Sequence, residues 1–164
     1  MRVWADGDSL PSELRRVIER RAAREAEKAD ESGGIPVFTL VYVASRRIAV
    51  SPPAELILVE AGADAADARI LEAAAPEDIA VTRDLPLAER LAEKGLLVLN
   101  DRGDIFTIDM VRERRSLRDR ALELRALGVA PESPRAKSYG KRELKAFSDA
   151  FDRVLARAVG KRGT

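Results

Sequence analysis

The sequence predicts a single three-layer α/β domain, with a mostly parallel sheet of about five strands and helices on both faces. Three observations carry this. Short apolar runs alternate with amphipathic stretches along the chain. Gly or Pro punctuates most junctions between them. The core must be built mainly from Leu, Val, Ile and Ala, because the 164 residues are 46% hydrophobic but only 4% aromatic.

Arg2 to Ala5 reads as a short buried strand. Pro11 suits the first turn of a helix running to about Lys28, with Leu14, Val17, Ile18 and Ala22 on its inner face. The charged stretch from Glu25 ends at Gly33-Gly34, which stops the helix. Pro36 to Val43 is dense in β-branched and aromatic residues, a second strand. Ser45 to Ala54 is a loop, since Pro52-Pro53 suits neither helix nor ladder. Leu56 to Val59 is a third strand, and Ala63 to Ala75 a helix ended by Pro76. Ile79 to Thr82 is a fourth strand. Pro86 starts a helix to about Lys94, closed by Gly95, and Leu96 to Leu99 is a fifth strand. Thr107 and Ser116 are suited to cap two shorter helices. Leu144, Phe147, Phe151, Val154, Leu155 and Ala158 form a helical stripe. Residues 1–127 therefore read as the α/β domain. Residues 128–164 read as a flexible connection (128–140) and a terminal helix packed on the same domain.

Composition narrows the chemistry. There is no Cys and no His. That removes disulfides, thiolate nucleophiles, zinc-thiolate sites, the Ser-His triad and most transition-metal sites. Oxygen ligands remain, and these suit Mg²⁺, Mn²⁺ or Ca²⁺. The start Met-Arg-Val-Trp-Ala-Asp has no signal-peptide core, and no apolar run approaches membrane-spanning length. A cytoplasmic enzyme or binding protein, with no membrane partner, is expected. The overall charge of +1 hides an asymmetry: residues 1–100 hold 13 Lys+Arg against 18 Asp+Glu, while the remainder is basic. An acidic site beside a basic segment suits a metal-dependent enzyme acting on a polyanion.

Five aspartates are the candidate site. In a parallel α/β sheet, ligands bind outside the carboxyl ends of the strands, at a switch in strand order. Asp6 and Asp84 follow the first and fourth strands, so both belong at that edge. Asp8 lies two residues past Asp6, and Asp64 and Asp67 share a face of a first helical turn. Without a cation such a cluster would repel itself; with one or two cations it could activate water at a phosphodiester. Each acid also has a structural reading: Asp64, Asp67 and Asp84 as helix caps or macrodipole partners, Asp6-Gly7-Asp8 as a turn. Ser9 and Thr82 adjoin the acids. Asn100 and Arg102 follow the fifth strand and could touch a phosphate, or simply make a turn. Arg118, in the arginine-rich run 112–120, is a candidate for the substrate backbone.

The motifs DGDSLP (6–11), GADAADARI (62–70), DIAVTRDLPLA (78–88), LNDRG (99–103), SLRD (116–119) and KRELKAFSDAFDR (141–153) together resemble the YaiI/YqxD family of bacterial proteins. The resemblance spans nearly the whole chain and rests on the order and spacing of the motifs. It implies a PIN-like fold, related to the PIN and NYN nucleases, with an acidic Mg²⁺- or Mn²⁺-binding pocket. Carried over by position, the metal acids fall on Asp6, Asp64, Asp67 and Asp84, with Asp8 beside them. Nucleic acid, RNA before DNA, is the implied substrate, and a homodimer is an implied assembly. The chain departs from the family pattern at Leu10, where Cys is usual, and at Ser45, where Asn is usual. A second expectation is a phosphatase resembling the haloacid dehalogenases, with Asp6 as nucleophile and Asp8 as general acid. A third is a non-catalytic PIN-like module that binds nucleic acid or protein.

Overall fold

Strand β1 (Arg2–Asp6) is the spine of the molecule, and its alternation of side chains defines two cores. The computed structural model describes residues 1–62, 64–129 and 139–162. Val3 and Ala5 face one side of the sheet, while Trp4 faces the other. Parallel neighbours repeat the alternation. From β2 (Thr39–Ala44), Leu40 and Tyr42 join the first core, whereas Val41 and Val43 join the second. From β4 (Ile79–Val81), Ile79 and Val81 go to the first and Ala80 to the second. A sheet buried on both faces needs this near-continuous apolar composition.

The first face is covered by α1 (Ser12–Ser32) and α5 (Lys141–Arg162). Leu14, Ile18 and Ala22 of α1 pack with Phe147, Phe151, Val154 and Leu155 of α5. Phe151 stacks on Phe147 at 5.6 Å and meets Phe38 edge-on at 5.8 Å. The second face is covered by α2 (Ala65–Ala73) and α3 (Leu85–Glu93) through Ala66, Ile70, Leu87, Ala88 and Leu91. Helix α4 (Ile108–Ala126) lies against α3.

The remaining strands are β3 (Glu55–Leu58), β5 (Leu97–Leu99) and β6 (Ile105–Phe106). The order across the sheet is β3-β2-β1-β4-β5-β6, parallel except for β6, which runs antiparallel to β5. Strand order reverses between β1 and β4. Open α/β sheets make their crevice at such a point, beyond the carboxyl ends of the strands. The chain is thus a three-layer α/β fold consistent with the PIN-like expectation.

Several boundaries differ from those read in the sequence. Helix α1 runs one turn further, to Gly33, whose left-handed φ of 66° lets Gly34 N–H reach Ala29 O at 2.9 Å. Its last turns are charged but anchored: Glu25 is held by Arg21 and Lys28, and Ala29 is buried. Strand β2 begins at Thr39 and not at Pro36, where proline cannot donate to a ladder. The two short helices expected after Thr107 are one. Thr107 Oγ1 does cap it, accepting from Met110 N–H at 3.3 Å, whereas Ser116 lies in its interior, flanked by good helix formers. Strand β6 was not anticipated, because two residues carry no periodicity. Of the expected connection at 128–140, residues 130–138 lie outside the described residues. No described helix is long and apolar enough to cross a membrane.

Candidate active site

The turn after β1 is built around Gly7. Its N–H donates to Val43 O at 2.8 Å, and a Cβ there would stand 2.8 Å from Ile48 Cδ1 and 3.0 Å from Ala44 Cβ. Glycine lets the turn tuck against β2, which fixes the acids on either side. Asp6 is buried and fully engaged. Its Oδ1 accepts from Asp8 N–H (3.2 Å) and Ser9 N–H (3.3 Å), and its Oδ2 accepts from the Thr82 hydroxyl at 2.9 Å. Asp8 Oδ2 accepts from Ser45 N–H at 2.8 Å, beyond the end of β2. Asp8 Oδ1 is buried and makes no hydrogen bond among the described residues; the Arg46 guanidinium approaches it only to 3.8 Å.

Thr82 links the two strands across the switch point. It donates to Asp6 and accepts Asp84 N–H at 2.9 Å, so one hydroxyl sets the relation of both acids. Asp84 is the N-cap of α3, its Oδ1 accepting from Leu87 N–H at 2.9 Å. The capping role read as an alternative for Asp84 is therefore real. It does not hold for Asp64, which precedes α2 but makes no side-chain cap hydrogen bond. Asp64 instead takes a left-handed conformation (φ 61°), which is uncommon outside glycine although aspartate tolerates it better than most.

All five aspartates line one cleft of about 250 Å³, together with Ser9, Ser45 and the start of α2 at Gly62, Ala65 and Ala66. Their crowding is visible in Asp67. Burial, then the charges of Asp84, Asp6 and Asp64, push its carboxyl up to about 6, against an opposing pull from Arg90. The donor set is all oxygen, which matches a hard divalent cation. The buried, unpartnered Asp8 Oδ1 is the kind of atom such an ion, or water bound to it, would satisfy. The carboxylates share the cleft without meeting at a point: among the described residues, no three acidic side chains are arranged to hold a metal ion as they stand. A cation would have to draw them in.

Of the other expected residues, Ser9 shares the cleft and the rest fall elsewhere. Thr82 is buried and acts on the acids from behind, and Ser9 is at the rim with its Oγ accepting Arg83 N–H at 3.3 Å. Asn100 is buried and spent on its own turn: Oδ1 accepts from Arg102 and Asp104 N–H, both at 2.9 Å, and Nδ2 donates to Asp104 at 2.9 Å. Arg102 follows in the same turn, and neither lines the acid cleft. Arg118 lines a neighbouring cleft between α3 and α4. Ser45 and Arg90 were not singled out as site residues. Ser45 acts through its backbone N–H, which carries no residue signal, and Arg90 sits in an ordinary amphipathic pattern. Leu10, at the family's usual Cys position, is buried in the first core.

The family model described as "Uncharacterized BCR, YaiI/YqxD family" matches residues 4–157. The chain belongs to the YaiI/YqxD family. Its relatives include a "UPF0178 protein" of Treponema denticola, 40% identical over 162 residues, covering 99% of this chain and 96% of the relative. Another from Myxococcus xanthus is 37% identical over 161 residues, covering 97% of each. One from Syntrophotalea carbinolica is 36% identical over 159 residues, covering 97% of this chain and all of the relative. No solved structure gives a significant match.

Proposed function

We propose that this protein is a Mg²⁺- or Mn²⁺-dependent phosphodiesterase acting on nucleic acid, with RNA the first substrate to test. The observation that carries the reading is the shared cleft of Asp6, Asp8, Asp64, Asp67 and Asp84 at the sheet's switch point. Asp64, Asp67 and Asp84 would hold one or two ions, with Asp6 as the buried anchor of the set. A bound cation would neutralise the phosphate and lower the pKa of a water. Asp8, held through Oδ2 by Ser45, keeps Oδ1 for accepting a proton from water or orienting it. Thr82 is a positioning residue, since it fixes Asp6 against Asp84 and lies behind both.

Two features disfavour the dehalogenase-like alternative. Both oxygens of Asp6 are already hydrogen-bonded and the residue is buried, which suits an anchor and not a nucleophile. That alternative also needs a lysine placed at a neighbouring strand end, whereas Lys94 sits at the far end of α3, donating to Leu71 O at 2.6 Å.

The test is incubation with labelled single-stranded RNA, DNA and a phosphomonoester, with Mn²⁺ and with chelator. RNA cleavage that needs Mn²⁺ and is lost in Asp64→Asn/Asp67→Asn is the expected result. Hydrolysis of the monoester alone, surviving chelator, would overturn the reading. Mn²⁺ binding without any hydrolysis would move the protein to a non-catalytic binding role.

A further inference from the structure

Beside the acid cleft, α3 and α4 enclose a second one of about 470 Å³, lined by Leu85, Pro86, Glu89, Arg90, Arg118, Asp119 and Leu122. Its volume lies within the range of small-molecule sites, roughly 300–1,000 Å³. The two clefts are continuous along the chain. Asp84 faces the first, and the next two residues, Leu85 and Pro86, line the second. Arg90 lines the second yet acts electrostatically on Asp67 in the first.

The chemistry of this second cleft is unlike that of a phosphate site. Two guanidinium groups are matched by two carboxylates, so the lining carries no net charge. The apolar side chains Leu85, Pro86 and Leu122 would meet a flat, uncharged face. Asp119 can accept hydrogen bonds from a base edge, and the guanidiniums of Arg90 and Arg118 can donate them or stack. This combination fits a nucleobase, which has a π-face and an edge of mixed donors and acceptors.

We propose that the α3–α4 cleft is a nucleobase subsite, holding the base next to the phosphate that enters the acid cleft. The assignment rests on the phosphodiesterase reading for its orientation. It changes the role first expected of Arg118, from the backbone to the base. Leu122 is half exposed, so it can be altered without loss of the core.

The test uses the full chain and two probes, guanosine 5′-monophosphate and ribose 5-phosphate, titrated by calorimetry. Leu122→Glu is compared with Leu117→Glu, an exposed position of α4 outside the cleft. The expected result is nucleotide binding at least tenfold tighter than that of the sugar phosphate. Leu122→Glu should weaken nucleotide binding at least tenfold, with Leu117→Glu and Mn²⁺ affinity unchanged. Equal binding of both probes, no nucleotide binding, or an unaffected Leu122→Glu would overturn the subsite. Loss of Mn²⁺ binding with base-dependent nucleotide binding intact would instead overturn the metal reading alone.

Discussion

Asp67→Asn should make the metal-free protein more stable while removing its function. Crowding by burial and by Asp84, Asp6 and Asp64 raises the Asp67 carboxyl from 3.8 to about 6. A full two-unit rise corresponds to about 3 kcal/mol of disfavoured ionisation. The cleft is open to water, and screening reduces this to about 1 kcal/mol. The sign follows from proton linkage. The folded state holds its proton more tightly than the unfolded one, so the stability is intact below pH 3.8 and is lost as pH rises through about 6. Asparagine has no proton to lose. The variant should therefore gain about 1 kcal/mol at pH 7.5, a rise in Tm of about 2–4 °C for a domain of this size. At pH 4.5 the gain should be smaller, because the folded-state carboxyl then keeps more of its proton. Thermal denaturation in chelator at the two pH values reads both gains. Adding Mn²⁺ should then stabilise wild type and not the variant. A variant no more stable than wild type at pH 7.5, or a gain equal at both pH values, would refute electrostatic crowding as the cause.

Other substitutions separate the parts of the site. Thr82→Val removes the hydroxyl that joins Asp6 to Asp84 and should cost about 1–2 kcal/mol in urea denaturation, with weakened Mn²⁺ binding. Thr82→Ser should restore both. Gly7→Ala forces a methyl into Ile48 and Ala44 and should cost about 1–3 kcal/mol, displacing the turn that carries Asp6 and Asp8. Its Mn²⁺ affinity should fall with its stability. Asp78 is the contrasting case: buried at the other end of the sheet, it accepts from Arg2 N–H, Trp4 Nε1 and Ala75 N–H. Asp78→Ala should cost about 3 kcal/mol, leaving three donors unmet, but folded protein at low temperature should bind Mn²⁺ as wild type does.

The sheet and its helices were legible because each apolar run is bracketed by a breaker or cap whose effect is local. Gly33, Pro76, Asp84 and Gly95 act within a turn of where they stand. Ser116 misled because a capping residue is informative only where the helix begins, and the chain before it was already helical. Strand β6 escaped notice because its pairing depends on the Asn100–Asp104 reversal and not on its own two residues. The placement of Asp6, Asp8 and Asp84 followed from topology, since residues after β1 and β4 must emerge at the switch point, whereas that of Asp64 and Asp67 depended on where α2 begins. Which acids are structural did not follow. Asp84 caps its helix from an extended backbone, whereas Asp64 takes a left-handed one and makes no cap hydrogen bond. Asn100 was indistinguishable in sequence from a phosphate ligand; its side chain closes a turn.

The most direct test of a cation site in the acid cleft is Mn²⁺ titration calorimetry on wild type and Asp64→Asn/Asp67→Asn, with folding followed by circular dichroism. These positions keep the Asp6–Thr82–Asp84 link intact, so the variant should fold normally. The account predicts one or two Mn²⁺ ions bound by wild type and none by the variant. A folded wild type that binds no Mn²⁺, or a variant that binds it equally well, would contradict it.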